Sequence, residues 1–125
     1  MATAAEPKCI LVVDDSAMIR HMVSSALHDA GYRVLTAVDG IDALEKLTKW
    51  PQLALVVCDI RMPRMSGHEL LEAVRRDGVY RGPIVMLTSD SGDAISRAQA
   101  LGAKAWLSKP FQRSALLATV ERLTA

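Results

Sequence analysis

The amino-acid sequence predicts an α/β domain built on one open, doubly wound, parallel β-sheet. Two kinds of segment alternate along the chain: short apolar runs of strand length, and stretches whose apolar residues recur three and four positions apart. Five segments of each kind are present, joined by short loops, and right-handed crossovers place helices on both faces of such a sheet. The 125 residues are about half of what a closed eight-fold barrel needs, so the sheet is expected to be open.

The predicted strands are the short apolar runs. In chain order they are Cys9–Val13, Arg33–Val38, Leu53–Cys58, Ile84–Leu87 and Ala105–Ser108. Several of them are nearly continuous in Val, Ile and Leu, which is typical of strands that helices cover on both faces.

The first predicted helix has the clearest spacing, and Gly31 is expected to end it. Its apolar stripe consists of Ile19, Met22, Val23, Ala26, Leu27 and Ala30. The other predicted helices cover Ile41–Leu47, Glu69–Arg75, Ala94–Leu101 and Ala115–Leu123. Residues 1–7 are predicted to be a flexible segment, and residues 8–125 a single domain.

The composition excludes several classes of function. Fifteen basic and fourteen acidic residues leave a net charge of +1, which argues against a general nucleic-acid binder. No apolar run is long enough for membrane insertion, and the N-terminus lacks the pattern of a signal peptide. Both cysteines lie within predicted strands, which suits a reducing compartment, so a cytoplasmic protein is expected.

The predicted strands end in polar residues. Asp14 and Asp15 follow the first run, Asp59 the third, Thr88 the fourth, and Lys109 the fifth. Ligands of open α/β sheets bind outside the carboxyl ends of the strands. If strands one, three, four and five are neighbours, these side chains converge on one edge. Clustered carboxylates repel one another, and a hard cation with oxygen ligands, such as Mg²⁺, relieves that repulsion.

Each of these residues also has a purely structural interpretation. Asp15 and Ser16 could cap the first helix, and Asp59 could be an ordinary turn residue. Thr88 alone could be a strand-end hydroxyl, and Lys109 alone a solvated surface charge. The combination of complementary groups at four strand ends favours a functional site.

Four segments resemble the motifs of response-regulator receiver domains, in the order that this family shows. They are Val12–Ser16, Asp59–Gly67, Leu87–Ser89 and Lys109–Phe111. The resemblance extends over essentially the whole chain, and among receivers it is strongest to the single-domain chemotaxis (CheY-like) type. It implies a flavodoxin-like sheet with strand order 2-1-3-4-5.

The resemblance also implies roles for single residues. Asp59 would accept a phosphoryl group, while Thr88 and Lys109 would contact that group. The implied ligands of Mg²⁺ are Asp14, Asp15, Asp59 and the backbone carbonyl of Arg61. Arg61 departs from the family, in which this position is often uncharged. The Lys109–Pro110 peptide resembles the cis peptide of the family.

Trp106 occupies the position of the aromatic that turns inward when receivers are phosphorylated, where Tyr or Phe is more usual. The alternative is a half-buried tryptophan that never moves. The surface that the resemblance implies for partner binding consists of Ile95, Gln99, Lys104, Trp106 and Arg122. The expected partners are a sensor histidine kinase, an output protein such as a flagellar motor component, and a phosphatase. The chain is expected to be monomeric, and to assist only its own phosphorylation and dephosphorylation.

Other functions on this architecture remain open at this point. The chain could be a phosphate sink, or a phosphorelay receiver from a larger regulator or hybrid kinase. An Mg²⁺-dependent aspartyl phosphohydrolase usually has a second acid two residues after its nucleophile, where this chain has Arg61. A flavin or nucleotide binder needs a Gly- or Ser/Thr-rich loop after the first strand, where this chain has two aspartates.

Overall fold

The computed structural model describes residues 7–89 and 92–125, so nearly all of the predicted flexible segment at 1–7 lies outside the described residues. Within these ranges, parallel strands form one sheet in the order β2-β1-β3-β4-β5. The elements are β1 (Cys9–Val13), α1 (Ala17–Asp29), β2 (Arg33–Ala37), α2 (Gly40–Lys49), β3 (Leu55–Cys58), α3 (Gly67–Asp77), β4 (Ile84–Thr88), α4 (Asp93–Ala100), β5 (Ala105–Ser108) and α5 (Arg113–Thr124). The predicted fold class and strand order are confirmed.

The central strands β1, β3 and β4 are buried because helices cover both faces of the sheet. Successive strand residues alternate between two apolar clusters. One cluster packs against α2, α3 and α4, and its strand residues include Leu11, Val13, Val56, Cys58 and Met86. The other packs against α1 and α5, and its strand residues include Ile10, Val12, Val57, Val85 and Leu87. Both faces of the sheet therefore hold the ends of these strands firmly in place.

The edge strands β2 and β5 are only partly buried. The prediction that helices cover several strands on both faces therefore applies to the central strands. Three predicted strand boundaries differ from the structure: β4 extends one residue further, to Thr88, and β2 and β3 are shorter than predicted. Val38 lies outside β2, where its N–H donates to the Asp42 carboxylate at 3.0 Å. Leu53 lies outside β3, and its N–H donates to the Trp50 carbonyl at 3.3 Å. In both cases the backbone N–H makes a local hydrogen bond in place of a hydrogen bond to a neighbouring strand.

Helix α1 begins and ends as its sequence predicts. The Ser16 hydroxyl accepts the N–H of Ile19 at 3.3 Å. After α1, Gly31 has φ +96° and donates to the His28 carbonyl at 3.0 Å, a left-handed C-terminal turn that glycine adopts without strain. The buried face is narrower than predicted, since it consists of Val23, Ala26 and Leu27. Met22 and Ala30 are exposed, so their assignment to the apolar stripe is wrong.

Two further features bear on the environment of the protein. In the described ranges no helix is both long enough and apolar enough to cross a lipid bilayer. Cys9 begins β1 and Cys58 ends the adjacent parallel strand β3, so the two thiols lie at opposite ends of the sheet and both are free.

Gly67 holds the start of α3 directly against the loop that follows β3. A methyl group there would overlap the Asp59 carbonyl oxygen and lie 2.7 Å from the Met86 methyl. Gly67→Ala is therefore expected to lower the free energy of unfolding by about 1–3 kcal/mol, measured by urea denaturation. Ser25→Ala on the exposed side of α1 is the control and should stay within about 0.5 kcal/mol of the wild type. Equal stability of the two variants would contradict the tight fit at Gly67.

Candidate functional site

Two buried carboxylates lie side by side at the carboxyl edge of the sheet. Val13 and Cys58 are in register on adjacent parallel strands, so Asp14 and Asp59 follow them at the same edge. The Asp14 N–H donates to the Ala37 carbonyl at 3.2 Å, and the Asp59 N–H donates to the Val13 carbonyl at 2.9 Å. These sheet hydrogen bonds fix both residues, which are only 1% and 7% exposed respectively. Two like charges are thus forced together out of bulk water.

Lys109 compensates this pair of negative charges. Its Nζ lies 2.8 Å from Asp14 Oδ2 and 3.1 Å from Asp59 Oδ2. The Lys109 N–H donates to the Thr88 carbonyl at 2.9 Å, which ties the residue to the end of β4. The peptide bond between Lys109 and Pro110 is cis. One ammonium group therefore bridges two carboxylates that come from different strands.

The second oxygen of each carboxylate is held by a backbone N–H. Asp14 Oδ1 accepts the N–H of Ser16 at 2.9 Å, and Asp59 Oδ1 accepts the N–H of Ile60 at 2.8 Å. Arg20 Nη1 donates to the backbone carbonyl of Asp14 at 2.7 Å. Both carboxylates are thereby oriented before any ligand arrives.

Burial and charge shift the pKa values in this cluster. Burial raises the pKa of Asp59, the charge of Asp14 raises it further, and Lys109 opposes the shift without cancelling it. Burial lowers the pKa of Lys109, but the hydrogen bonds to Asp14 and Asp59 outweigh that effect, so the net shift is upward. The ammonium group therefore stays charged near neutral pH, while ionised Asp59 remains crowded by negative charge.

The acidic cluster has the chemistry of a site for a hard divalent cation. Asp14, Asp15 and Asp59 each offer a carboxylate oxygen, and these oxygens lie within 4.8 Å of one another. Three ionised carboxylates against the single ammonium of Lys109 leave two negative charges uncompensated in this group of four side chains. Mg²⁺ prefers oxygen ligands and keeps several waters, so it suits a cluster in which Asp15 is exposed. The residues present therefore fit a magnesium ion.

Arg61 lies in the loop between β3 and α3, with an exposed side chain. Together with Asp15, His68 and Arg97 it lines an open cleft of about 620 Å³ beside the acidic cluster. The exposed Asp15 carboxylate thus belongs both to this cleft and to the acidic cluster.

Thr88 and Trp106 lie on neighbouring strands but in different surroundings. Thr88 ends β4, is 2% exposed, and pairs with Ser108 on β5. Trp106 pairs with Met86, and its indole is 43% exposed at the edge of the sheet. The structure thus places Thr88 next to the strand that leads into Lys109, whereas Trp106 faces outward.

The residues predicted to contact partners lie on or beside α4, β5 and α5. Gln99, Lys104, Trp106 and Arg122 are exposed, and Ile95 is half-buried. They are accessible to a partner, apart from the partly covered Ile95. Their role in binding stays a prediction.

The sequence reasoning missed several residues that support the site. Arg64 forms an ion pair with the buried Asp39, with Nη2 2.6 Å from Oδ2. His68 is 7% exposed, and its Nε2 lies 2.8 Å from the Ala94 carbonyl oxygen. The position of Asp39 directly before a helical pattern was a usable capping signal. No pattern in the sequence singles out Arg20, Arg64 or His68, because their partners are distant in the chain or are backbone atoms.

Comparison with known families gives one match that covers most of the chain. Residues 10–121 match the family described as the response regulator receiver domain. The match includes every residue of the acidic cluster as well as Thr88, Trp106 and Lys109.

Some relatives match this chain over most of their length, whereas others, such as the transcriptional regulatory protein PdtaR of Mycobacterium tuberculosis, match over 58% of theirs. Protein PilG of Pseudomonas aeruginosa is 33% identical over 115 residues, which are 90% of this chain and 84% of the relative. Chemotaxis protein CheY1 of Helicobacter pylori is 35% identical over 115 residues, 90% of this chain and 93% of the relative. Among solved structures, chemotaxis protein CheY4 of Vibrio cholerae has a TM-score of 0.86 and 43% identity, covering 94% of this chain and 98% of that chain.

The raised pKa of Asp59 gives a prediction for stability without metal. Because the folded state keeps the proton of Asp59 to higher pH than the unfolded chain, stability falls as pH rises from the ordinary value of 3.8 through the raised pKa. Asp59→Asn removes this penalty and keeps an oxygen for the Ile60 N–H. We expect its Tm in EDTA at pH 7 to exceed that of the wild type by a few degrees.

The difference in Tm should shrink as the pH is lowered below 3.8, where Asp59 is protonated in both states. Asp29→Asn, at an exposed carboxylate that pairs with Arg113 at the surface, is the control and should not show this gain. A lower Tm for Asp59→Asn at pH 7 would mean that attraction to Lys109 outweighs burial and the repulsion from Asp14.

Proposed function

This chain belongs to the response regulator receiver domain family of two-component signalling, and we propose that it works as a phospho-switch. In this proposal Asp59 accepts a phosphoryl group from a sensor histidine kinase in an Mg²⁺-dependent reaction. The modified domain then changes its binding to an output protein. The domain assists its own phosphorylation and dephosphorylation and has no other catalytic activity.

One observation carries the proposal: the Lys109 ammonium bridges Asp14 and Asp59, with Asp15 in the same cluster. An aspartate is a weak nucleophile, so a phosphoacceptor site must supply orientation and positive charge. The bridge supplies charge beside the reacting carboxylate, and the Ile60 N–H orients that carboxylate. A structural salt bridge would not require a third carboxylate at the same place.

The proposed transfer is an in-line displacement. An oxygen of the Asp59 carboxylate forms a bond to phosphorus, the phosphorus–nitrogen bond of the kinase phosphohistidine breaks, and its electron pair stays on the imidazole nitrogen. Asp14, Asp15, Asp59 and the backbone carbonyl of Arg61 would hold Mg²⁺, which when bound offsets negative charge on the phosphoryl oxygens. Lys109 then pairs with the phosphorylated side chain.

The proposed switch runs from Thr88 to the exposed side of β5. Thr88 is buried beside the strand that leads to Lys109, which supports donation of its hydroxyl to a phosphoryl oxygen. Phosphorylation adds a charge of about −1.5 to −2 and new acceptor oxygens, and these attract the hydroxyl group. The space that Thr88 leaves would let the outward-facing Trp106 turn inward. The partner surface of Ile95, Gln99, Lys104, Trp106 and Arg122 would change as a result.

We assign the output to chemotaxis or motility control, through a protein such as a flagellar motor component. The names of the Helicobacter and Vibrio relatives, both chemotaxis proteins, support this choice. The two free cysteines support a cytoplasmic location. An aspartyl phosphohydrolase is disfavoured, because Arg61 stands two residues after Asp59 and its guanidinium cannot give up a proton at neutral pH.

A small phosphodonor with Mg²⁺ should produce one phosphoryl adduct that is stable in acid and labile to hydroxylamine. Asp59→Asn should abolish the adduct because a neutral amide replaces the nucleophilic carboxylate, and EDTA should abolish it in the wild type. Mass spectrometry of the intact protein measures the result. Asp29→Asn removes an exposed carboxylate far from the site and should leave the adduct intact. An adduct that survives in Asp59→Asn would refute the assignment of the acceptor.

Thr88→Ala should still accept a phosphoryl group but lose the conformational response. Trp50→Phe leaves Trp106 as the only tryptophan, so fluorescence then reports on β5 alone. In this background the phosphodonor should change the emission of Trp106, and Thr88→Ala should remove most of that change. Thr88→Ser keeps the hydroxyl and should retain the response. An unaltered response in Thr88→Ala, at equal phosphorylation, would rule out the proposed route.

A further inference from the structure

The loop of residues 60–66 joins β3 to α3 and contains Arg61, whose backbone carbonyl is a proposed ligand of Mg²⁺. We propose that Arg64 is a positioning residue for this metal site, and that its ion pair with Asp39 at the start of α2 holds the loop in its binding shape. The inference rests on the proposed function, since it concerns the metal site of the phospho-switch.

The ion pair joins an accessible guanidinium to a buried carboxylate. Asp39 Oδ2 lies 2.7 Å from Arg64 Nε and 2.6 Å from Nη2, while Asp39 Oδ1 accepts the N–H of Asp42 at 2.9 Å. The Asp39 side chain is 5% exposed and that of Arg64 is 58% exposed. Without Arg64 the buried Asp39 carboxylate would lose a cationic partner that lies 2.6 Å away. Removing one partner of a buried ion pair costs more than breaking a surface ion pair, because the remaining buried charge is left uncompensated.

The backbone of Arg64 has an unfavourable conformation that requires support from other contacts. Its φ is +67°, and within residues 7–89 and 92–125 no other non-glycine residue has a positive φ. This left-handed conformation is unfavourable for a residue with a Cβ, so other contacts must maintain it. Asp39 provides such a contact, because its carboxylate pairs with both Nε and Nη2 of the Arg64 side chain.

A second contact joins the same loop to α2. The Gly40 N–H donates to the Met65 carbonyl at 3.3 Å. A Cβ at Gly40 would lie 2.6 Å from the Met65 side chain, so only glycine permits this close approach. At its far end the loop is closed by the Gly67 N–H, which donates to the Ile60 carbonyl at 2.8 Å. Arg61 lies between these fixed points, so the contacts with α2 constrain the loop that carries its carbonyl.

The charge of Asp39 is secure at neutral pH. The N–H of Asp42 lowers the pKa of this carboxylate, burial acts in the opposite direction, and Arg64 lowers the pKa further. The net downward shift of the Asp39 pKa keeps this carboxylate ionised at neutral pH. The ion pair with Arg64 is therefore present under the conditions of the test.

The test measures Mg²⁺ affinity by isothermal titration calorimetry, together with amide hydrogen exchange of residues 60–66 in the metal-free protein. Arg64→Ala is expected to weaken Mg²⁺ binding about tenfold, as loss of outer-shell support does in other metal sites, and to speed exchange in the loop. Arg64→Lys should recover part of the affinity. Asp39→Asn keeps the cap on α2 but loses the charge, and should weaken binding to a similar degree.

If the pair acts as a unit, the double variant Asp39→Asn/Arg64→Ala should bind Mg²⁺ no more weakly than either single variant. Arg76→Ala breaks a surface ion pair with Asp77 at the other end of α3 and serves as the matched control with unchanged affinity. Arg64→Gly relieves the backbone strain while removing the pair. If Arg64→Gly binds Mg²⁺ as the wild type does, the backbone conformation and not the ion pair sets the site, and the inference is wrong.

Failure of the inference differs from failure of the proposed function. A wild type that binds Mg²⁺, with an Arg64→Ala variant of equal affinity and lower Tm, would leave Arg64 a merely structural residue. A wild type that does not respond to Mg²⁺ at all would overturn the proposed function, and this inference with it.

Discussion

The bridge from the Lys109 ammonium to Asp14 and Asp59 is the interaction on which the rest of the site depends. Two buried carboxylates on adjacent strands are unfavourable on their own, and one cation between them makes the folded edge tolerable. The bridge is incomplete as compensation, because Asp15 adds a third negative charge nearby. The cluster therefore carries excess negative charge, and a bound dication or a change in the charge of a side chain can relieve the repulsion. This excess negative charge favours the binding of cations at the carboxyl edge of the sheet.

The rigid sheet stabilises the close approach of these carboxylates. β1, β3 and β4 are buried on both faces, and their hydrogen bonds fix the backbone of Asp14 and Asp59 before the side chains interact. A rigid support of this kind holds charged groups in positions that they would avoid in a flexible chain. At the ends of the strands, apolar packing is replaced by like charges that destabilise the fold. The domain tolerates these charges because the packed sheet holds their backbone in place.

The sequence was sufficient to predict the parts of the molecule that follow from local pattern and topology. Apolar runs identified the central strands, and the strand order implied by the family resemblance placed Asp14, Asp59 and Lys109 at one edge. The sequence was not sufficient to predict contacts between side chains that are distant in the chain. Arg64 meets Asp39 from 25 residues away, and its left-handed backbone leaves no mark in composition or periodicity. The end of β2 was misplaced because the Asp42 carboxylate takes the N–H of Val38.

The unequal anchoring of the elements determines which of them can transmit a signal. All five positions of β4 are buried, so Thr88 can change its side chain but hardly its backbone. In α4 only Ala98 is buried, and no side chain caps the N-terminus of the helix. Its first turn is tied to α3 mainly by His68, through the carbonyl of Ala94. An element with so few buried contacts costs little to displace. A change in charge at the acidic edge should thus be felt in α4 and at the exposed side of β5, while the central strands stay in place.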